Sequence, residues 1–123
     1  MLILAVPAFA CDGDLYEPLV PLLRPGFEVE TVITDAPEMA ACADAVVQAA
    51  RGRPFVVLGT SFGGHVAREA ALRAPDLVRG LVVMGAGAGG VGDRTPYDAR
   101  RRRIEEEERA AMLEDMARRI VFD

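Results

Sequence analysis

The feature that most constrains what this chain can fold into is a set of short apolar runs alternating with segments of helical character. Four runs, residues 2–6, 27–33, 55–58 and 81–84, are each bounded by turn residues. They are rich in Val, Ile and Leu without strict alternation, the pattern of strands covered on both faces. Residues 14–23 open on Asp14 as a cap and are kept short or irregular by Pro18 and Pro21. In residues 36–51, Met39, Cys42, Ala43, Val46, Val47 and Ala50 recur at three- and four-residue spacing, and Gly52 follows as a stop signal. Residues 62–74 are helical too and are closed by Pro75. Strand and helix in strict succession imply right-handed crossovers and a parallel sheet. The expected fold is therefore α/β, a three-layer sandwich of four parallel strands with helices on both faces.

Beyond Met84 the chain enters Gly85-Ala86-Gly87-Ala88-Gly89-Gly90, a loop through Pro96 and a long polar helix over residues 97–121. Met112, Met116 and Ile120, widened by Leu113, give that helix an apolar stripe that needs a partner. No cap or turn follows at Asp123, so the natural architecture is expected to continue past it, the chain being a truncated form. The expected division is a core over residues 1–92 and the start of a helical lid over residues 93–123. An exposed sheet edge and the lid helix would be covered by self-association or by a partner.

Composition narrows the function classes. With 123 residues, 51% hydrophobic and 27% charged, the chain is suited to one globular core, burying about two thirds of its unfolded surface. A net charge of −5 argues against a nucleic-acid partner and does not favour an acidic substrate. Cys11 and Cys42 make no disulfide framework and read as buried thiols in a reducing, cytoplasmic compartment. Ala8-Phe9-Ala10 before Cys11 has the look of an export cleavage site, but no basic residue precedes the apolar stretch and a buried strand explains it better. No apolar run approaches the ~20 residues that span a bilayer, so no membrane role is expected. The sequence holds one serine, Ser61, and one histidine, His65, so Ser-His chemistry has one candidate for each role.

Gly59-Thr60-Ser61-Phe62-Gly63 is a G-x-S-x-G motif placed after an apolar strand and before a helix. A serine there sits on a sharp strand-to-helix turn that exposes its Oγ, and small flanking residues avoid clashes. The N-terminus of the following helix favours developing negative charge. The alternative reading is a tight turn in which Ser61 merely caps a helix. A switch point between the carboxyl ends of the first and third strands, if they are neighbours, would bring the loop after residue 6 opposite Ser61.

In these residues the chain resembles the α/β-hydrolase superfamily, in its N-terminal half through the nucleophile elbow into the start of the lid. Residues 54–90 look like its strand, elbow, helix and next strand, including Ala74-Pro75-Asp76-Leu77-Val78-Arg79-Gly80-Leu81. Val6-Pro7-Ala8-Phe9-Ala10-Cys11-Asp12 resembles the post-strand loop of members with Pro-Gly followed by Cys-Asp, Ala8 standing where the glycine would be. The resemblance implies that the amides of Phe9 and Phe62 form the oxyanion hole. The family often follows its second strand with Arg-Gly-x-Gly-x-Ser, whereas Thr34-Asp35-Ala36-Pro37 here leads almost directly into helix and removes part of one pocket wall.

The resemblance also implies an acid and a histidine contributed by later strands, which this chain does not reach. His65 lies one turn into the helix, with poor geometry for a base, and reads better as packing beneath the elbow. Asp93, at a position where some relatives carry the acid, reads better as a loop or capping residue. Tyr97, Met112 and Met116 are candidates to line a pocket or simply to pack.

Two further motifs have bland readings. Residues 85–90 satisfy G-x-G-x-x-G, but neither an apolar-faced helix nor a second strand ending in an acid follows, so a flexible loop is preferred to a dinucleotide site. Arg101, Arg102 and Arg103 face Glu105, Glu106 and Glu107 at i, i+4, as on a solvated helix. The function expected is a serine hydrolase acting on a small ester, lactone or thioester through Ser61, with no metal or organic cofactor. Serine at the elbow disfavours the aspartate nucleophile of dehalogenase or epoxide-hydrolase relatives. The alternative is a non-catalytic fragment or interaction module that keeps the elbow as structure.

Overall fold

The computed structural model describes residues 1–87 together with Arg102, Ala111, Glu114 and Arg118. The chain divides into two compact units, Met1–Gly87 and Ala88–Asp123. In the first, β1 (Leu2–Val6) leads through a 3₁₀ helix (Gly13–Tyr16) and α1 (Val20–Leu23) to β2 (Glu28–Thr31). There follow α2 (Met39–Ala49), β3 (Phe55–Thr60), α3 (Phe62–Arg73) and β4 (Val78–Met84). The four strands form one parallel sheet in the order β2-β1-β3-β4, which makes the first and third strands neighbours as expected.

Side-chain alternation along the central strands separates two cores. Leu2, Leu4, Val6, Phe55 and Val57 face α2 and α3, meeting Cys42, Val46, Val66 and Ala70. Ile3, Ala5 and Leu58 face the other way, onto Tyr16 with Leu19, Val20 and Leu23. All five residues of β1 are buried, as the apolar run predicts. The outer strands depart from that expectation: β2 has no buried residue, and Leu81 and Val82 of β4 remain 44% and 42% exposed. Helices cover the two central strands, and an outer strand has a neighbour on one side only within this sheet.

Proline and local capping shift several element ends. Asp12, not Asp14, caps the 3₁₀ helix, its Oδ1 accepting from the Asp14 amide at 3.0 Å. α2 begins at Met39 rather than residue 36, because Ala36 precedes Pro37, which disfavours helical backbone there. Its end turns through left-handed Arg51 (φ 52°) and Gly52 (φ 75°). Cys42 is buried, but Cys11 is exposed in the loop after β1, correcting the expectation of two buried thiols. In the second unit, Arg102, Ala111, Glu114 and Arg118 are helical and exposed, and Glu114 pairs with Arg118 at i, i+4.

Arg73 on α3 ties the two helices by a two-pronged bond to Asp44 on α2, Nε to Oδ1 at 2.8 Å and a terminal nitrogen to Oδ2 at 3.1 Å. Hydrogen bonding from Arg73 holds the Asp44 carboxyl below its ordinary range. The folded chain thus takes up this proton less readily than the unfolded one, so the stabilisation is present above the ordinary carboxylate range and lost on acidifying. Asp44→Asn is expected to lower the melting temperature by roughly 1 to 4 °C at pH 7 and by less at pH 3. Thermal melts followed by circular dichroism at the two pH values check this.

Candidate active site at the β3–α3 turn

β3 ends at Thr60 and α3 begins at Phe62, leaving Ser61 alone to make the turn. Its backbone sits at φ 53°, ψ −114°, outside the small left-handed well open to residues with a Cβ. Such a conformation costs on the order of 1–3 kcal/mol and persists only where the surroundings dictate it. Here they do. The Ser61 amide is tied to the Met84 carbonyl of β4 at 2.8 Å, and the Ser61 carbonyl accepts from Gly64 at 2.9 Å. The side chain is left exposed and makes no capping bond to the helix, so the reading of Ser61 as a mere helix cap is not what its geometry does.

Two glycines make the turn possible. A Cβ on Gly59 would lie 2.1 Å from the Gly63 carbonyl oxygen, and one on Gly63 would lie 2.0 Å from the Val6 oxygen and 2.6 Å from the Pro7 oxygen. α3 therefore starts in direct backbone contact with the end of β1. That contact brings the loop after β1 to the elbow, and the rings of Phe9 and Phe62 meet edge to face with centroids 6.4 Å apart.

The loop itself is a β-turn closed by the Cys11 amide on the Ala8 carbonyl at 3.0 Å. Of its two central residues only Ala10 has positive φ, 59°, which is the form of a type II turn with Phe9 at its first central position. The residue needing left-handed backbone is thus Ala10 and not Ala8, where the resemblance placed a glycine. The Phe62 amide belongs to the first turn of α3, where N–H groups lack intrahelical acceptors and the helix dipole favours an anion.

His65 is exposed on α3 and makes no hydrogen bond to Ser61, so the expectation that it packs beneath the elbow is corrected. Asp93, Tyr97, Met112 and Met116 lie outside the described residues, as do the pairs of Arg101 and Arg103 with Glu105 and Glu107. The described start of the glycine-rich run is held by Arg68 of α3, whose guanidinium donates to the Ala86 carbonyl at 3.1 Å and to that of Gly87. Among the described residues no three His, Cys, Asp or Glu side chains gather so as to hold a metal ion. No described helix is long and apolar enough to cross a membrane.

Sequence reasoning missed Tyr16. Its ring is buried, and its hydroxyl lies 2.7 Å from the Val6 carbonyl and 2.9 Å from the Thr60 Oγ1. Burial pushes the phenol above its ordinary pKa, against the opposing pull of the Thr60 hydrogen bonds. As one of two tyrosines, in a segment that proline keeps irregular, it carries no periodic or motif signal.

Gly63→Ala is expected to destabilise the fold by at least about 3 kcal/mol, because backbone on both sides would have to move. Gly26→Ala, with nothing within 4 Å of the added Cβ, should change little. Urea denaturation of the two variants beside the wild type checks the contrast.

The family model for the alpha/beta hydrolase fold matches residues 2–109. Among solved structures, the chain is similar to a thermophilic esterase from Thermogutta terrifontis, with 22% identity and a TM-score of 0.75 over 94% of this chain and 48% of that one. It is similar also to an extracellular alpha/beta-hydrolase from a Paenibacillus species, with 19% identity and a TM-score of 0.63 over 85% of this chain and 50% of the other. The chain thus spans about half the length of these structures. No functionally curated protein matches it significantly.

Proposed function

The chain belongs to the α/β-hydrolase fold family, and from that premise we propose that it acts as a serine hydrolase. Ser61 is the nucleophile, attacking a small ester, lactone or thioester. The observation that carries this reading is the strained, exposed turn at Ser61, built by glycines that admit no side chain.

The chemistry is acyl transfer. The Ser61 oxygen adds to the acyl carbon while its proton passes to a general base, and the carbonyl oxygen becomes an oxyanion. The amides of Phe9 and Phe62 donate to that oxyanion, and collapse of the adduct expels the alcohol or thiol, protonated by the conjugate acid of the base. Hydrolysis of the acyl-enzyme returns the serine. No general base is assigned among the described residues; in serine hydrolases it is usually a histidine held by a carboxylate. The free thiols Cys11 and Cys42 suit a cytoplasmic setting.

One observation favours the second reading, a non-catalytic module: the Ser61 hydroxyl has no basic partner among the described residues. A fluorophosphonate probe and p-nitrophenyl acetate decide between them. The chain is expected to be labelled at Ser61 and to release nitrophenol, and Ser61→Ala should abolish labelling and lower turnover by at least about 10³-fold. A folded wild type that neither labels nor turns over ester leaves the non-catalytic reading standing.

The oxyanion assignment has its own test. Proline fits the first central position of a type II turn, so Phe9→Pro deletes the amide donor while keeping the turn. It is expected to lower kcat by about 10²- to 10³-fold with little change in KM, read from ester kinetics.

A further inference from the structure

We infer that Tyr16 is a positioning residue for the active site, locking the ends of β1 and β3 so that the Phe9 loop and Ser61 keep their mutual placement. The inference rests on the hydrolase reading for its kinetic consequence, though not for its geometry. Val6 and Thr60 are the last residues of β1 and β3. Each stands at the point where its strand hands over to a functional segment, Pro7 to Cys11 on one side and Ser61 on the other. Among the described residues, Tyr16 is the one side chain bonded to both, at 2.7 and 2.9 Å.

The bonding has a definite direction. A phenol has one proton, and with that proton on the Val6 carbonyl, the Thr60 hydroxyl donates to the phenol oxygen. A phenol is protonated throughout the neutral range, and burial raises its pKa further. The same Val6 carbonyl is the atom that a Cβ on Gly63 would strike at 2.0 Å. One oxygen therefore takes the tyrosine bond from one side and the backbone of α3 from the other. Moving it displaces both the oxyanion loop and the helix behind the nucleophile.

Burial alone does not require this arrangement. The ring of Tyr16 packs on Ile3, Ala5 and Leu58, which a phenylalanine would do equally well. The hydroxyl adds nothing to that apolar contact, and its two bonds both go to strand ends. Site geometry within about 0.5 Å is what such supporting bonds supply to a reaction.

The test uses Tyr16→Phe and Thr60→Val in the full chain, singly and together, with p-nitrophenyl acetate kinetics and amide hydrogen exchange at Phe9, Ser61 and Phe62. Each single variant is expected to lower kcat at least about 10-fold with KM within about twofold, and to speed exchange at Ser61. The double variant should be no worse than the worse single one, because both act through one clamp. Folded variants with unchanged kcat and unchanged exchange overturn the inference, as does a double variant whose losses multiply. If the wild type itself has no turnover, the hydrolase reading fails and the exchange at these amides alone judges the clamp. If Tyr16→Phe does not fold, Thr60→Val cuts the same bond from the other strand.

Discussion

The close approach of α3 to the ends of β1 and β3 is the constraint on which the rest of the site depends. Gly59 and Gly63 are in contact through backbone atoms, and Gly63 also rests on the Val6 and Pro7 carbonyls. Nothing larger than hydrogen fits between these segments. The helix must therefore start immediately after the strand, which leaves Ser61 to complete a reversal in backbone space that a side chain seldom occupies. Strain at the serine and exposure of its hydroxyl are two results of the same packing.

That strain is held by what surrounds it. A backbone bond to Met84 fixes the Ser61 amide from β4, and the two sheet cores fix the strands themselves. The burial of β1 and β3 makes the central pair rigid, while β2 and β4 carry the exposure. A site placed at the carboxyl ends of the two central strands is thus set on the most constrained part of the sheet. Ligand crevices of open parallel sheets lie there for the same topological reason, the reversal of strand order.

The elbow was legible from sequence because it is made of neighbours. G-x-S-x-G between an apolar run and a helical segment specifies strand, turn and helix within a few residues, and no long-range contact is needed to see it. Buried β1 and the start and end of α3 followed in the same way. The reading was weaker at the ends of elements and in the turns between them, where neighbouring residues compete for the same backbone groups. Proline moved the start of α2, Asp12 rather than Asp14 found the free amide, and Cys11 ended in an exposed turn. The apolar runs of β2 and β4 suggested strands covered on both faces, but cover depends on a strand's place in the sheet, which a run of Val and Leu does not encode.

By itself the sequence determined the order of strands and helices, the parallel sheet and the position of a single serine at the turn, because local periodicity and glycine spacing carry that information. Tertiary structure alone decided that Gly63 presses on the Val6 carbonyl, that Ala10 rather than Ala8 takes the left-handed place in the loop, and that Tyr16 joins two strand ends. The first and last of these depend on residues far apart in the chain meeting, as Tyr16 does with Val6 and Thr60 at 2.7 and 2.9 Å. Such meetings are settled by how the layers pack, and one-dimensional spacing holds no record of them.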